Sequence, residues 1–173
     1  MPDKVRLAGK CIQDSTVDGP GLRIVIWTQG CCHDCDGCHN PETHDPDGGI
    51  AENVENIIGF INNSKLQRGI TLSGGEPFLQ ARQLMPVADA AIKKGMNVWI
   101  YSGYTYEQLM EDDVKKALLL KADVLVDGLF VLALKDTRLA FKGSKNQRII
   151  DVKASEKAGK IVLSRYDDFN MFI

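Results

Sequence analysis

Strand-like and helix-like segments alternate along the chain, and this alternation constrains the fold more than any other feature. Residues 22–29, LRIVIWTQ, are rich in β-branched side chains and predict a buried strand. In residues 51–64 apolar side chains recur at i, i+3, i+4 and i+7 and predict a helix. Further strands are predicted at 70–73, 97–103, 122–128, 147–153 and 160–164. Such alternation is typical of a parallel sheet with right-handed crossovers.

Two more helices are indicated by their end signals. Apolar spacing around Leu84 predicts a helix that Gly95 closes, with Pro86 marking a kink or a late start. Thr105, with Gln108 three residues later, predicts a capping box at the start of the next helix.

Length and composition bound the architecture and the partners. At 173 residues the chain is too short for a complete eight-fold barrel of about 250 residues. We therefore expect the α/β class, as an open, partial (β/α)6-type TIM barrel with a parallel sheet, in one domain over residues 1–173. A net charge of −2 gives no support for nucleic-acid binding. No apolar run approaches the ~20 residues that span a bilayer, so we expect a cytoplasmic protein without a membrane partner.

Four of the five cysteines fall within GCCHDCDGCHNPE, and the fifth, Cys11, is interpreted as an ordinary small residue. Thiols crowded in this way cannot join distant parts of a fold and are typical of metal ligands. Cys32, Cys35 and Cys38 fit the spacing C-x2-C-x2-C. Cys31, Cys35 and Cys38 fit C-x3-C-x2-C equally well, and spacing alone leaves both choices open.

The kind of metal site follows from what the sequence lacks. Structural zinc commonly takes two separated ligand pairs, and no second pair exists here, although His33 or His39 could complete a Cys3His set. A ferredoxin-type run continues to a fourth cysteine, whereas Glu42 stands four residues after Cys38 and no cysteine follows. An iron–sulfur cluster with three thiolates leaves one iron open, which makes it a reaction site, as an open position does for catalytic zinc.

Other candidate residues follow the predicted strands. Gly74 and Gly75 allow close approach of the backbone to a ligand, and Glu76 adds a carboxylate, directly after the strand at 70–73. Ser102 and Asp127 follow two later strands. Because ligands of α/β folds bind at the carboxyl ends of the strands, these residues predict one shared site with the cysteines.

Cys31-x3-Cys35-x2-Cys38 followed by GGEP resembles the radical S-adenosylmethionine superfamily. The segments DGPGLR and CHNPETHD narrow the resemblance to the glycyl-radical-enzyme activases. VLVDGLF, FKGSKNQRIID and the short chain are most similar to the branch that activates anaerobic ribonucleoside-triphosphate reductase, which is related to the longer pyruvate formate-lyase activating enzymes. The resemblance covers a core of about residues 8–153 and leaves a C-terminal extension over 154–173.

The resemblance implies that Cys31, Cys35 and Cys38 hold a [4Fe–4S] cluster and that Cys32 is the spare. It further implies that S-adenosylmethionine chelates the open iron and is cleaved by one electron to a 5′-deoxyadenosyl radical. That radical would abstract a hydrogen from a glycine of the reductase. A flavodoxin or ferredoxin is the electron donor that the resemblance implies.

The resemblance also implies cofactor contacts, at Gly37, Cys38, His39, Gly74, Gly75, Glu76, Ser102 and Asp127. Gly75 and its neighbours would meet the methionine amino group, whereas Gly37 and its neighbours would lie near the adenosine. Many superfamily members carry an aromatic where this chain has Gly37, so His39 would supply the adenine contact. Asp18, in the DGPG loop, would face the glycine-bearing peptide. Arg148 would contact a carboxylate or form a surface salt bridge.

Three alternatives stay open. The partner could be pyruvate formate-lyase or another glycyl radical enzyme. The protein could be a small-molecule radical enzyme of the 7-carboxy-7-deazaguanine synthase type, although DGPGLR and CHNPET argue against this. It could also be a non-catalytic iron–sulfur or zinc module.

Overall fold

One mixed sheet of eight strands organises the computed structural model, which describes residues 3–168. The strands are β1 (Lys4–Leu7), β2 (Ile12–Ser15), β3 (Arg23–Thr28), β4 (Ile50–Asn53), β5 (Gly69–Gly74), β6 (Asn97–Tyr101), β7 (Val124–Asp127) and β8 (Arg148–Asp151). The α-helices of the same residues are α1 (Val54–Asn63), α2 (Ala81–Lys93), α3 (Tyr106–Met110), α4 (Asp113–Leu119) and α5 (Val152–Ala158). Short 3₁₀ turns lie at Pro41–Thr43, Pro77–Gln80 and Leu132–Leu134.

The sheet order is β4-β1-β3-β5-β6-β7-β8, with β2 also paired to β3. Strands β3, β5, β6 and β7 are parallel neighbours, which confirms the α/β class and a parallel centre. The sheet is open, and its remaining strands pair antiparallel, so a six-unit parallel barrel is not confirmed. The predicted strand at 147–153 shows why. It forms β8, but it follows β7 through a segment without an α-helix, and parallel pairing needs a crossover that is usually helical.

The local signals gave mixed results at the ends of the segments. Gly95 follows α2 with φ +76°, and the Thr105–Gln108 capping box is present, so both predictions are confirmed. A late helix start at Pro86 is wrong, because α2 begins five residues earlier. The predicted strand at 160–164 is reduced to one isolated bridge, Ile150 to Leu163. No helix within residues 3–168 is long and apolar enough to cross a membrane.

The two faces of the parallel strands differ because side chains alternate across a strand. One face carries Ile24, Ile26 and Leu72, which pack in the main core with apolar residues of α1 and α2. The other face carries a smaller cluster that contains Trp99, and Phe141 and Tyr166 pack against it at ring-centroid distances of 5.5 Å. Part of the C-terminal extension therefore covers this second face. Residues 169–173 of that extension lie outside the described residues.

Candidate functional site

Three connections meet at the carboxyl ends of the parallel strands. They are the cysteine loop (residues 30–45, after β3), the glycine turn (residues 74–77, after β5) and the serine turn (residues 102–104, after β6). Together they border a cavity of about 490 Å³. That volume lies within the range of about 300–1,000 Å³ that is usual for small-molecule and cofactor sites. The sequence prediction of a shared site at this edge agrees with the placement of the three connections.

The four clustered cysteines do not share one environment. Cys31, Cys35 and Cys38 are partly buried and line the cavity. Cys32 is exposed, its Sγ lies 3.2 Å from the Tyr104 hydroxyl, and it is not among the described residues that line the cavity. The geometry therefore separates Cys32 from the other three, and those three are the cysteines of the C-x3-C-x2-C spacing.

Backbone hydrogen bonds close the cysteine loop at its base. The Gly30 N–H donates to the Thr43 carbonyl at 2.8 Å, and the Cys31 N–H donates to the His44 carbonyl at 3.2 Å. Within the loop the Cys38 N–H donates to the Cys35 carbonyl at 3.0 Å. The loop thus leaves β3 and returns beside its own start.

The conformation of the loop requires a glycine at position 37. Gly37 has φ +69°, a left-handed value that side chains with a Cβ rarely adopt, and it is exposed. A Cβ built there would lie 2.9 Å from a methyl carbon of Leu132. Gly37 is not among the described residues that line the cavity, whereas the next two residues, Cys38 and His39, both line it. The His39 ring packs against Phe130 with 4.7 Å between ring centroids.

Burial raises the pKa of the Cys31 thiol and of the Cys35 thiol, and desolvation is the largest cause in both. Hydrogen bonding from the backbone lowers the pKa and partly opposes this effect, through His33 at the Cys31 thiol and through Phe130 at the Cys35 thiol. Hydrogen bonds of this kind stabilise thiolate sulfur, which is the form that binds metal. Metal binding at these sulfurs therefore requires loss of the thiol protons.

The glycine turn packs directly against the cysteine loop. The Glu76 N–H donates to the Gly30 carbonyl at 2.8 Å, and the Gly75 N–H donates to the Thr28 carbonyl at 2.8 Å. A Cβ at Gly75 would lie only 2.2 Å from the Gly30 carbonyl oxygen. Gly74 and Gly75 also line the cavity, as the sequence predicted for this turn. The absence of side chains therefore serves contact between two protein segments as well as access to the cavity.

The Glu76 carboxylate lies behind the cavity wall. Its side chain is 0% exposed. It accepts hydrogen bonds from the Ser102 hydroxyl at 2.9 and 3.0 Å, from the Gly103 N–H at 2.9 Å and from the Phe78 N–H at 3.0 Å. The ring nitrogen Nε2 of His33 lies 2.7 Å from its second oxygen. Glu76 thus joins the cysteine loop, the glycine turn and the serine turn. Ser102 lines the cavity, with its hydroxyl directed to Glu76.

Asp127 and Arg148 lie in a second cavity, of about 650 Å³, which shares His33, Gly103 and Gly128 with the first. The Arg148 guanidinium donates to Asp127 at 2.9 Å and to Glu107 at 2.8 Å. Of the two interpretations of Arg148, the salt bridge is therefore the one that the described residues form. The hydrogen bond from Arg148 is the largest cause that lowers the pKa of Glu107 to about 2. The sequence placed Asp127 at the cofactor rim, and it lies at the border of this neighbouring cavity.

Asp18 also borders the first cavity. It lies in the loop between β2 and β3 and does not follow the carboxyl end of a parallel strand. Its carboxylate accepts from the Ser15 hydroxyl, and its carbonyl accepts from the Thr71 hydroxyl at 2.7 Å. The adjacent Val17 is 72% exposed. Asp18 is therefore placed at the cavity border on a loop whose backbone is tied to β5.

Arg23 explains how that loop is held, and sequence reasoning did not assign it a role. Its fully buried guanidinium donates to the Thr71 hydroxyl and the Asn97 amide oxygen at 2.7 Å each, and to the Ile70 carbonyl at 2.6 Å. It also donates to the Pro20 carbonyl of the DGPG segment at 3.3 Å. Because the guanidinium is desolvated, its pKa is lowered to about 10. The sequence signal that could have indicated this role is an arginine at the start of a strand rich in β-branched residues.

The donor set fits an iron–sulfur cluster with three protein thiolates. Three thiols line one cavity, and neither of the other cysteines, Cys11 and Cys32, is among the described residues of its wall. The indole N–H of Trp27, on β3 beside the cavity, is buried and has no hydrogen-bond partner among the described residues. Thiolates are the ligands that such clusters take, and three of them leave one iron available for another group.

Comparison with known sequences gives one family and a consistent set of relatives. The family described as "4Fe-4S single cluster domain" matches residues 17–150. The chain is 36% identical over 141 residues to the anaerobic ribonucleoside-triphosphate reductase-activating protein of Salmonella typhi, covering 76% of this chain and 89% of the relative. The protein of that name from Escherichia coli strain K12 is 35% identical over 141 residues, again covering 76% of this chain and 89% of the relative. That of Enterobacteria phage T4 is 33% identical over 141 residues, covering 77% and 86%.

Proposed function

Because this chain belongs to the family of anaerobic ribonucleoside-triphosphate reductase-activating proteins, we propose that it activates such a reductase by generating its glycyl radical. One observation carries the proposal. Cys31, Cys35 and Cys38 line the same cavity as Gly74 and Gly75 of the glycine turn, at the carboxyl edge of the parallel strands. A pyruvate formate-lyase partner finds no such support among these relatives.

In this proposal Cys31, Cys35 and Cys38 hold a [4Fe–4S] cluster, and S-adenosylmethionine binds beside it. When bound, these groups would supply one-electron reductive cleavage of S-adenosylmethionine and abstraction of a hydrogen atom from a reductase glycine, with methionine and 5′-deoxyadenosine as the products. A flavodoxin or ferredoxin would supply the electron. The protein contributes binding, orientation and exclusion of water.

The residues of the cavity divide these tasks by position. Gly74 and Gly75 present backbone without side chains, so the polar end of S-adenosylmethionine can approach the main chain. His39, packed on Phe130, offers a ring for the adenine. Asp18 lies at the border of the cavity, where a glycine-bearing peptide would enter. These residues lie at the carboxyl ends of the parallel strands or beside them, which is where ligands of open α/β sheets bind.

The test is anaerobic incubation of the reconstituted protein with S-adenosylmethionine, a reductant and an anaerobic ribonucleoside-triphosphate reductase, read by electron paramagnetic resonance. We expect a glycyl radical on the reductase and an equivalent amount of 5′-deoxyadenosine. A reductase whose radical-site glycine is replaced by alanine is the control and should give no such signal. Protein that holds its cluster yet forms the radical only on pyruvate formate-lyase would refute the assigned partner. A single zinc ion in place of iron and sulfide would refute the radical chemistry itself.

The choice of ligands has its own test in two adjacent variants. Cys31→Ala should abolish assembly of a cluster with about four irons, because one of only three thiolates is removed. Cys32→Ala should retain it, since Cys32 is exposed and directed to Tyr104. Iron and sulfide content after anaerobic reconstitution measures both. The opposite pattern would show that C-x2-C-x2-C is the binding motif.

A further inference from the structure

His33 lies within the cysteine loop, two residues from Cys31 and two from Cys35. Its side chain is only 12% exposed, although most residues of the loop are exposed or half-buried. Because a single residue separates His33 from Cys31, fixing the His33 side chain also restrains the backbone that carries a proposed ligand sulfur.

The His33 side chain is bound to the most buried acid of the site. Nε2 lies 2.7 Å from an oxygen of Glu76, and because a carboxylate oxygen accepts, the Nε2–H donates. Glu76 is itself fixed by the Ser102 hydroxyl and by the backbone N–H groups of Gly103 and Phe78. A hydrogen bond to a charged group is stronger than a neutral one, and more so where water is excluded. The loop is therefore fastened to a rigid point outside itself.

The ring also occupies a place that only a glycine leaves free. A Cβ built on Gly103 would lie 2.4 Å from Cδ2 of His33 and 2.7 Å from Nε2. On another side, Tyr104 packs edge-on against the ring at 4.6 Å between centroids. Hydrogen bonding to Glu76 and packing against Gly103 and Tyr104 of the serine turn therefore select the same ring position.

We propose that His33 is a positioning residue: by binding the buried Glu76, it fixes the Cys31 sulfur in the geometry that retains the cluster. This inference rests on the proposed function, because it presupposes a cluster on the three cysteines. It assigns Glu76 to the support of the cysteine loop from behind the wall. Partners that orient metal ligands in this indirect way typically change metal affinity or activity by about 10- to 100-fold when removed.

The experiment compares cluster retention in four proteins reconstituted anaerobically: wild type, His33→Ala, His33→Gln and Cys32→Ala. The rate of iron loss to excess chelator, followed by the iron–sulfur absorbance, is the measurement. His33→Ala should lose iron about 10-fold faster or more. His33→Gln places an amide N–H near the position of Nε2 and should recover most of the retention. Cys32→Ala, in the same loop and also in contact with the serine turn, should match wild type.

The outcomes separate the inference from the function on which it rests. Wild-type protein that assembles no four-iron cluster would refute the proposed function, and the inference with it. Wild type and His33→Ala that retain iron equally would refute the inference alone. Equal losses from His33→Gln and His33→Ala would assign the effect to ring packing and overturn the role of the hydrogen bond. Gly103→Ala approaches the same contact from the other side, so it should reproduce the loss even if His33→Ala folds poorly.

Discussion

Replacing Gly75 by alanine should separate the glycine turn from the cysteine loop. The added Cβ would lie 2.2 Å from the Gly30 carbonyl oxygen, 2.8 Å from the Gly30 carbonyl carbon and 3.0 Å from the Thr43 carbonyl oxygen. Carbon and carbonyl oxygen normally approach no closer than about 3.3 Å, so the two segments must move apart by about 1 Å. All three atoms belong to backbone, and no side chain can rotate away to relieve the contact.

The magnitude follows from what that movement breaks. The hydrogen bonds from Glu76 N–H to Gly30 and from Gly75 N–H to Thr28, both 2.8 Å, link the glycine turn to the start of the cysteine loop and to the end of β3. Each is worth about 0.5–1.5 kcal/mol net, and forced overpacking costs about 1–3 kcal/mol. We therefore expect Gly75→Ala to lower the free energy of unfolding by about 2–6 kcal/mol. For a chain of this length each kcal/mol shifts Tm by about 2–4 °C, so Tm should fall by about 4–24 °C.

The assay is thermal unfolding of the cluster-free protein by circular dichroism, which measures the fold apart from the cofactor. Gly59→Ala is the matched control, because Gly59 lies within α1 and has nothing within 4 Å of its built Cβ. That variant should be more stable by about 0.5–1 kcal/mol, since alanine has the higher helix propensity. A Gly75→Ala protein whose Tm stays within a degree of wild type would refute the close contact described here.

Two further predictions concern groups around the cavities. Thr71→Val removes the hydroxyl that bonds both the buried Arg23 Nε and the Asp18 carbonyl, and it should lower the free energy of unfolding by about 2–4 kcal/mol. Thr71→Ser keeps the hydroxyl and should lower it by only about 1 kcal/mol, for the lost methyl group. Equal urea midpoints for the two variants would contradict this. The pKa of Glu107 is lowered from 4.5 to about 2, chiefly by Arg148, so its stabilising contribution is present above pH 4.5 and is lost as pH falls toward 2. Urea unfolding at pH 5.5 should therefore favour wild type over Glu107→Gln, the difference should shrink toward pH 2.5, and a pH-independent difference would count against the ion pair.

The elements that could be predicted were those whose signals are local. The β-branched run that forms β3 and the apolar spacing of α1 lie within single segments, and the Thr105–Gln108 capping box spans four residues. The gathering of cysteines, glycine turn and Ser102 at one edge also followed, because the carboxyl ends of parallel strands meet there. These conclusions need only the chain order and the alternation of elements.

Two of the strands that were missed, β1 and β4, depend on partners distant in the chain. β1 and β4 have four residues each, and they pair with one another across more than forty intervening positions. Neither has a long β-branched run of its own, so nothing local distinguishes it from a loop. The antiparallel direction of β8 is likewise set by the connection after β7 and not by the composition of β8.

The role of Glu76 could not be read from GGEP for a related reason. A carboxylate after two glycines at a strand end indicates a ligand contact when only the chain order is known. The structure surrounds it with Ser102, Gly103 and His33, which come from two other connections. With the Phe78 N–H, four donors surround this buried carboxylate, so its hydrogen-bonding capacity is satisfied. Chain order places Glu76 at the end of β5, whereas the partners of its carboxylate come from connections that chain order alone does not bring together.

The adjacent pair Cys31 and Cys32 shows how geometry adds what spacing lacks. Both spacings place three cysteines within eight residues, so counting cannot choose between them. The segment after β3, however, places Cys31 at the cavity and Cys32 at the surface. Cys32 contacts Tyr104, and the next residue, His33, is bound to Glu76. In this orientation the three clustered cysteines that line the cavity are those of the C-x3-C-x2-C spacing, which is therefore the binding motif that we predict.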